Sequence, residues 1–218
     1  MKSYGQFCSL AKSLDVVGDR WTLLIVRELL TQGPCRYTDL ANGLPGIASN
    51  LLADRLRSLE EHGIIAREAA PPPVATTLFH LTERGHELEP VLAALARWGI
   101  GFVEGAPSPD DAFRPYWFPY SVGSFLRDRP AGSPPVTVQL RTVLGDWAVS
   151  ADGDGGVTVT PGTTDAPDVT LEGHPTLVIG LLSGSHTLAQ ARAEGLVVTG
   201  DAVLATFPWV PASAAVPA

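Results

Sequence analysis

An asparagine and two arginines, Asn50, Arg55 and Arg57, stand in one short stretch with Ser49 and Ala53, and two more arginines, Arg36 and Arg67, lie on either side. A carboxamide presents a donor beside an acceptor, which matches an adenine edge, and a guanidinium matches guanine or a phosphate oxygen. At helical spacing such residues would hydrogen-bond a polyanion rather than break bonds. Bond-breaking groups are scarce elsewhere. The chain has no GxSxG elbow, no HExxH, no glycine loop for phosphates and no CxxC pair. Ser185 and His186 are chain neighbours, a spacing that does not align a nucleophile with its base. His174, His186 and Asp168 lack metal-ligand spacing, and the five histidines read as surface or capping residues. The sequence thus offers no catalytic residue, metal site or cofactor, and it does not read as an enzyme.

Two cysteines, Cys8 and Cys35, are too few for a disulfide framework and read as free thiols in a reducing compartment. Lys12 lies one helical turn from Cys8 and would favour its thiolate, making Cys8 a redox candidate. The alternative is a small apolar side chain packed under the first helix, and it is preferred because the second half of the chain offers another sensing device. Cys35, between Pro34 and Arg36, is open to exposure and has no assigned role.

The elements that must position these groups follow from periodicity. "RWTLLIVRELL" places Trp21, Leu24, Ile25 and Leu29 at helical spacing, and Gly33-Pro34 ends the run. "YTDLANGL" is a short helix with Thr38 as N-cap and Asp39 in its first turn, and Pro45-Gly46 forces a turn. The next helix, from about Ala48 to His62, buries Leu52, Leu56 and Leu59, with Gly63 at its end. "IIAREA" and "TTLFHLT" flank "APPPVA" as a two-stranded hairpin with a proline-stiffened tip. Thr82 then caps one long helix, "ERGHELEPVLAALARWGIGFV", striped by Leu88, Leu92, Leu95 and Phe102 with Val91 and Trp98 beside them. Helices, hairpin, helix is the order of a winged helix-turn-helix, a mostly α domain placed at 1–104.

This half resembles the HxlR family of bacterial winged-helix regulators, through "CSLAKSLDVVGDRWTLLIVRELL", "CRYTDLANGLPGIASNLLADRLRSLEEHGIIAR" and "FHLTERGHELEPVLAALARWG". The resemblance implies a homodimer whose terminal helices pack together, and two recognition helices on a pseudo-palindromic operator in double-stranded DNA. Half-sites would lie roughly 34–36 Å apart. It places Arg36, Thr38, Ser49, Asn50, Ala53, Arg55, Arg57 and Arg67 in the DNA-binding set. The chain departs from the family at Ala48, where Ser or Thr is common, at Asn50, where Lys is near, and at Thr76 and Leu78 in the second wing strand. No Lys or Arg lies between Arg67 and Arg84. Phosphate contact is therefore expected from Arg36, Arg55, Arg57 and Arg67 rather than from the wing.

Residues 105–113 read as a linker, and residues 114–218 change character. "VTVQLRT", "WAVSAD", "VTVTP", "DVTLEG" and "LVVTGD" read as strands, with Asp152-Gly153-Asp154-Gly155 as a turn, and "TLVIGLLSG", "TLAQARAEG" and "AVLATF" as short helices. This α+β half resembles the sterol-carrier-protein-like domain through "DVTLEGHPTLVIGLLSG" and "TLAQARAEGLVVTGDAVLATF". The resemblance implies an apolar cavity for a hydrophobic or lipid-like ligand, with Trp117, Phe118, Phe125 and Trp147 as candidates to line it. Each of the four is equally needed as core.

Charge divides the same way. The net charge of −8 is almost wholly C-terminal: residues 1–100 carry 10 Lys and Arg against 11 Asp and Glu, and residues 101–218 carry 5 against 12. A local basic field is compatible with that balance. No apolar run approaches the ~20 residues of a membrane span, and "MKSYGQFCSLAK" lacks the apolar core of a secretory signal, so the cytoplasm is expected and membrane insertion is not. The combined expectation is a homodimeric DNA-binding transcriptional regulator modulated by a hydrophobic small molecule. A thiol sensor acting through Cys8, and a lipid carrier or scaffold whose winged helix contacts protein, are the alternatives.

Overall fold

Leu52, Leu56 and Leu59 fall on one side of a helix, and that side is driven out of water. The computed structural model describes residues 3–70, 76–103, 111–126, 132–153 and 156–200. The chain divides into two compact units, the first ending at Leu92 and the second beginning at Ala93. In the first unit, α1 (Ser9–Val17) and α2 (Thr22–Gln32) precede a two-residue strand, β1 (Cys35–Arg36). Then come α3 (Tyr37–Gly43), α4 (Ser49–Glu61), β2 (Ile65–Ala69), β3 (Thr77–Leu81) and α5 (Glu83–His86). The three leucines of α4 share one core with Ile25, Val26 and Leu29 of α2, Leu40 of α3, and Ile64, Ile65 and Leu81 around the hairpin. Completely burying a leucine contributes about 1.5–3 kcal/mol, so three of them fix the roll of α4.

The hairpin is antiparallel and in register from Ile65↔Leu81 to Ala69↔Thr77. A third strand, unforeseen in the sequence, joins its other edge: β1 pairs antiparallel with β3, Cys35 opposite Phe79 and Arg36 opposite Leu78. Two residues carry no alternation, so periodicity cannot reveal them. The proline tip, residues 71–75, lies outside the described residues.

Several local expectations change. Leu24 faces solvent, and Trp21 precedes α2 at φ 115°, a conformation L side chains rarely adopt. Arg36, not Thr38, occupies the N-cap of α3, because the Asp39 carboxylate reaches back to the Arg36 amide at 3.0 Å. Thr82 does cap a helix, accepting from the Gly85 amide at 3.1 Å, but α5 is one turn long. The expected long helix is broken at Glu87-Leu88 and resumes as α6 (Glu89–Gly99), with Pro90 in the first turn where its missing N–H costs nothing. A 3₁₀ turn follows at Ile100–Phe102. Leu88 and Leu92 reach the core, whereas Val91, Leu95, Trp98 and Phe102 are exposed.

Glu28 is fully buried in α2. Arg27 donates to one of its oxygens at 2.7 and 3.1 Å, and Gln32 donates to the other at 2.8 Å, which meets the hydrogen-bonding demand of a buried carboxylate.

The second unit is α+β. A helix without a periodic signature in the sequence, α7 (Trp117–Leu126), precedes β4 (Val136–Thr142), β5 (Gly145–Ala151), β6 (Val157–Pro161) and β7 (Val169–Glu172). Two helices follow, α8 (Pro175–Ser183) and α9 (Leu188–Ala193), and then β8 (Val197–Thr199). The sheet order is β6-β5-β4-β7-β8, with β4 and β7 parallel and the other pairs antiparallel. Buried Gln139 ties three parts together, donating to the carbonyls of Trp147 and Gly162 and accepting from the Thr164 amide. The expected helix "AVLATF" and most of the expected linker lie outside the described residues, as do Asp154 and Gly155 of the expected turn.

α4 starts at Ala48, whose backbone is extended as an N-cap must be, yet no side chain caps its first turn. Ala48→Ser is expected to raise the urea midpoint and add about 1 kcal/mol to unfolding stability at unchanged m-value. An unchanged midpoint would mean that another group already satisfies those amides.

Candidate nucleic-acid interface

The pairing of α3 and α4 puts one helix face outward. Tyr37, at the start of α3, donates its hydroxyl to the Ser49 carbonyl at 2.7 Å and pins the first residue of α4 across the turn. Opposite the three buried leucines, a 100° step per residue aligns Asn50, Asp54, Arg57 and Glu61 in a stripe, and all four are exposed. Ser49 is exposed beside Asn50, and Ala53 is half-buried on the flank. Of the expected set, the fold therefore brings Ser49, Asn50, Ala53 and Arg57 to one surface. Asp54 and Glu61, on the same stripe, were absent from it.

Each of the four arginines expected to meet phosphate is held by a carboxylate. Arg36 binds Asp39 through Nε at 2.9 Å and Nη2 at 3.1 Å. Arg57 binds Asp54 at 3.0 Å, Arg67 binds Glu60 at 2.7 and 2.6 Å, and Arg55 binds Asp19. The hydrogen bonds from Arg36 hold the Asp39 carboxyl below the usual carboxylate range, and those to Glu60 raise the Arg67 guanidinium. Lowered carboxylate values mean that the Arg36–Asp39 contribution is present at neutral pH and disappears as pH falls through the folded value of Asp39.

Exposure separates the four. The side chains of Arg36, Arg57 and Arg67 are 52%, 64% and 56% exposed, so water and salt screen their ion pairs and each pair is weak. Arg55 is 21% exposed, its Nε is buried, and its partner Asp19 lies in the lead-in to α2. Its geometry fits a tie between α4 and that lead-in. Thr38 sits in the first turn of α3 without capping it.

The cysteines exchange their expected surroundings. Cys8, expected beneath the first helix, is exposed at the N-cap of α1, and Lys12 reaches Asp15 at 3.7 Å. Cys35 is buried in β1, where burial, then the charges of Asp39 and Glu28, push its thiol up to about 11.

In the second unit, Phe118, Phe125 and Trp147 are buried in one apolar core with Val138, Leu140, Val178 and Leu181, and Phe118 lies 5.1 Å from Trp147 between centroids. Trp117 is half-buried and edge-on to Phe113 and Tyr116. Phe118, Phe125 and Trp147 are thus core, and Trp117 packs on Phe113 and Tyr116 instead. His174 caps α8, and Asp168 accepts from the Thr137 amide. Ser185 and His186, expected to be misaligned, come to 3.3 Å between Oγ and Nδ1, with Glu194 3.5 Å from Nε2. That hydroxyl also contacts the Gly180 carbonyl at 3.3 Å, and Gly180 lies where any Cβ would strike the His186 ring at 2.3 Å, so the cluster closes the α8–α9 turn. Among the described residues no group of three His, Cys, Asp or Glu could hold a metal ion, and no helix is long and apolar enough to cross a membrane.

Residues 16–106 match the model of the HxlR-like helix-turn-helix family. The chain is 37% identical over 100 residues to the HTH-type transcriptional regulator sll1512 of Synechocystis sp., covering 46% of this chain and 73% of that one. It is 30% identical over 95 residues to the HTH-type transcriptional regulator YodB of Bacillus subtilis, covering 44% of this chain and 84% of that one. Superposed on the reduced form of YodB, 47% of this chain covers 100% of that one, with a TM-score of 0.40. Both relatives are HTH-type transcriptional regulators.

The two thiols are expected to separate in a DTNB titration at pH 7. Cys8 should react rapidly and Cys35 only after denaturation, because a thiol near 11 holds roughly one thiolate in ten thousand at that pH. Two rapid equivalents from the folded chain would contradict the burial of Cys35.

Proposed function

This chain belongs to the HxlR-like helix-turn-helix family, and from that premise we propose that it binds operator DNA as a homodimer through α4. The observation that carries the reading is the α3–α4 pair, locked by Tyr37 on Ser49, which leaves Asn50, Asp54 and Arg57 as the outermost side chains. Ser49, Asn50 and Ala53 sit at the end of α4 that enters a major groove first, and Arg36 and Arg67 serve the phosphates. Arg55 ties α4 to the lead-in of α2, and Thr38 is exposed in the first turn of α3. Two apolar surfaces suit self-association on a pseudo-palindromic site: Phe7, Leu10 and Leu14 around α1, and Val91, Leu95, Trp98 and Phe102 around α6, all exposed.

Residues 1–104 form the DNA-binding and dimerisation domain in this reading, and residues 114–218 form a sterol-carrier-protein-like domain that receives a hydrophobic effector. Support for the second assignment is the order of elements: a helix, an antiparallel run, a paired helix segment and a returning strand. Because Phe118, Phe125 and Trp147 fill the core, a ligand enters by parting them, not by occupying a standing lining. The exposure of Cys8 favours a second input, a thiol switch at the N-cap of α1.

Selection from random duplexes by the full chain is expected to enrich a two-fold site. Its affinity should fall with a log–log slope of roughly −0.9 per phosphate neutralised. Glu60→Gln, which releases Arg67, should tighten binding by up to about five-fold at low salt. If no site is enriched, the carrier or scaffold alternative takes over; if Glu60→Gln leaves affinity unchanged, Arg67 does not meet phosphate.

Native mass spectrometry of the full chain separates the two inputs. A dimer with a non-covalent extra mass, lost on unfolding, supports the hydrophobic effector. A mass that persists on unfolding and leaves with reductant supports Cys8.

A further inference from the structure

The outermost stripe of α4 is unusual for a surface meant to enter a polyanion: Asn50, Asp54, Arg57 and Glu61 sum to a charge of −1. Asp54 is the central anomaly. Its side chain is 57% exposed, opposite the buried leucines, and no contact with the core of the unit explains it. An ionised carboxylate only accepts hydrogen bonds, so it repels phosphate and the acceptor atoms of guanine and thymine. In a major groove the donors left for it are the exocyclic amines of cytosine and adenine.

The neighbour of Asp54 narrows the choice. Arg57 lies three residues on, with Nη1 3.0 Å from Oδ1 of Asp54, so an acceptor and a set of donors are held side by side. One base pair presents the complementary edge. In C·G the cytosine N4 donor stands beside the guanine O6 and N7 acceptors, and N4 and O6 are themselves a hydrogen bond of roughly 2.9 Å apart. An A·T edge offers Arg57 only one acceptor on each base and sets the thymine methyl beside the acid.

Resting on the reading that α4 enters a major groove, we propose that Asp54 is a specificity-determining residue that, with Arg57 as one unit, reads a single C·G pair in each half-site. Asp54 takes the cytosine N4 proton while Arg57 takes the guanine acceptors. The 3.0 Å ion pair already holds the acceptor and the donors side by side. The pair contributes little affinity, because the carboxylate is unfavourable near phosphates. It acts by rejecting the other bases at its position, where an unpaired buried carboxylate is costly.

The test is selection from random duplexes by the full chain and by Asp54→Asn and Asp54→Ala, with circular dichroism to confirm that each variant folds as the parent does. The parent is expected to enrich a two-fold site with one invariant C·G step per half. Asp54→Ala should lose the preference at that step alone, and discrimination there should drop by about five- to 150-fold. Asp54→Asn should move it toward adenine, which a carboxamide matches. Non-specific affinity should hold or rise in both variants, since each removes a negative charge. An enriched parental site that both variants select unchanged would overturn the assignment of Asp54 while leaving the groove-reading helix standing. No enrichment by the parent would instead remove the groove reading itself, and this inference with it.

Discussion

Everything the first unit presents outward depends on the burial of Leu52, Leu56 and Leu59. A helix with three fully buried leucines on one side cannot roll without exposing them, and each exposed leucine costs about 1.5–3 kcal/mol. Two polar ties remove the remaining freedom. Tyr37 holds the first residue of α4 across the turn, and Arg55 holds its middle to Asp19 ahead of α2. The outward stripe is therefore a consequence of packing and not of any contact it makes itself. This is the division of labour a reading helix requires, because a side chain that must meet a partner cannot also be spent on holding its own helix.

The same logic makes a net charge of −8 compatible with the proposed reading helix. The first hundred residues are nearly neutral, and Arg36, Arg57 and Arg67 are pre-paired with acids at the surface. Exposed pairs are screened by water and salt and hold their partners only weakly. A phosphate or base edge thus competes on favourable terms for each arginine, and the displaced carboxylate returns to water. The cost falls on affinity for any polyanion alike. What survives is contrast between sites, since a sequence that also satisfies the displaced acid recovers what the others lose.

Much of this was legible in the sequence, for identifiable reasons. The leucine spacing gave α4 and its buried face, Gly63 gave its end, and strand character around the proline tip gave the hairpin, because each rests on periodicity or on local backbone chemistry. The pairs Arg36–Asp39 and Asp54–Arg57 lie three residues apart and were within reach of the same reasoning. Arg55–Asp19 spans 36 positions and Arg67–Glu60 crosses from a helix to a strand, so only the fold discloses them. β1 is too short to alternate. α7 was hidden because "WFPYSVGSF" is aromatic and contains a proline and a glycine, features that speak against a helix until the sheet offers it a surface. The break before α6 shows the opposite error: a long apolar stripe ran on where Pro90 and the one-turn α5 interrupt the backbone.

The tight core of the second unit constrains how it could speak to DNA binding at all. An effector shifts an equilibrium only by the difference in its affinity for two arrangements. A standing cavity that binds equally well in both would transmit nothing, however tight the complex. Phe118, Phe125 and Trp147 share one core with the α8 residues Val178 and Leu181, so the proposed effector would have to displace packed side chains. Interiors at native density respond to an added volume by repacking in steps rather than by stretching. A filled core that must open is therefore better suited to signalling than an empty one, because the energy of opening is the differential that couples binding to shape.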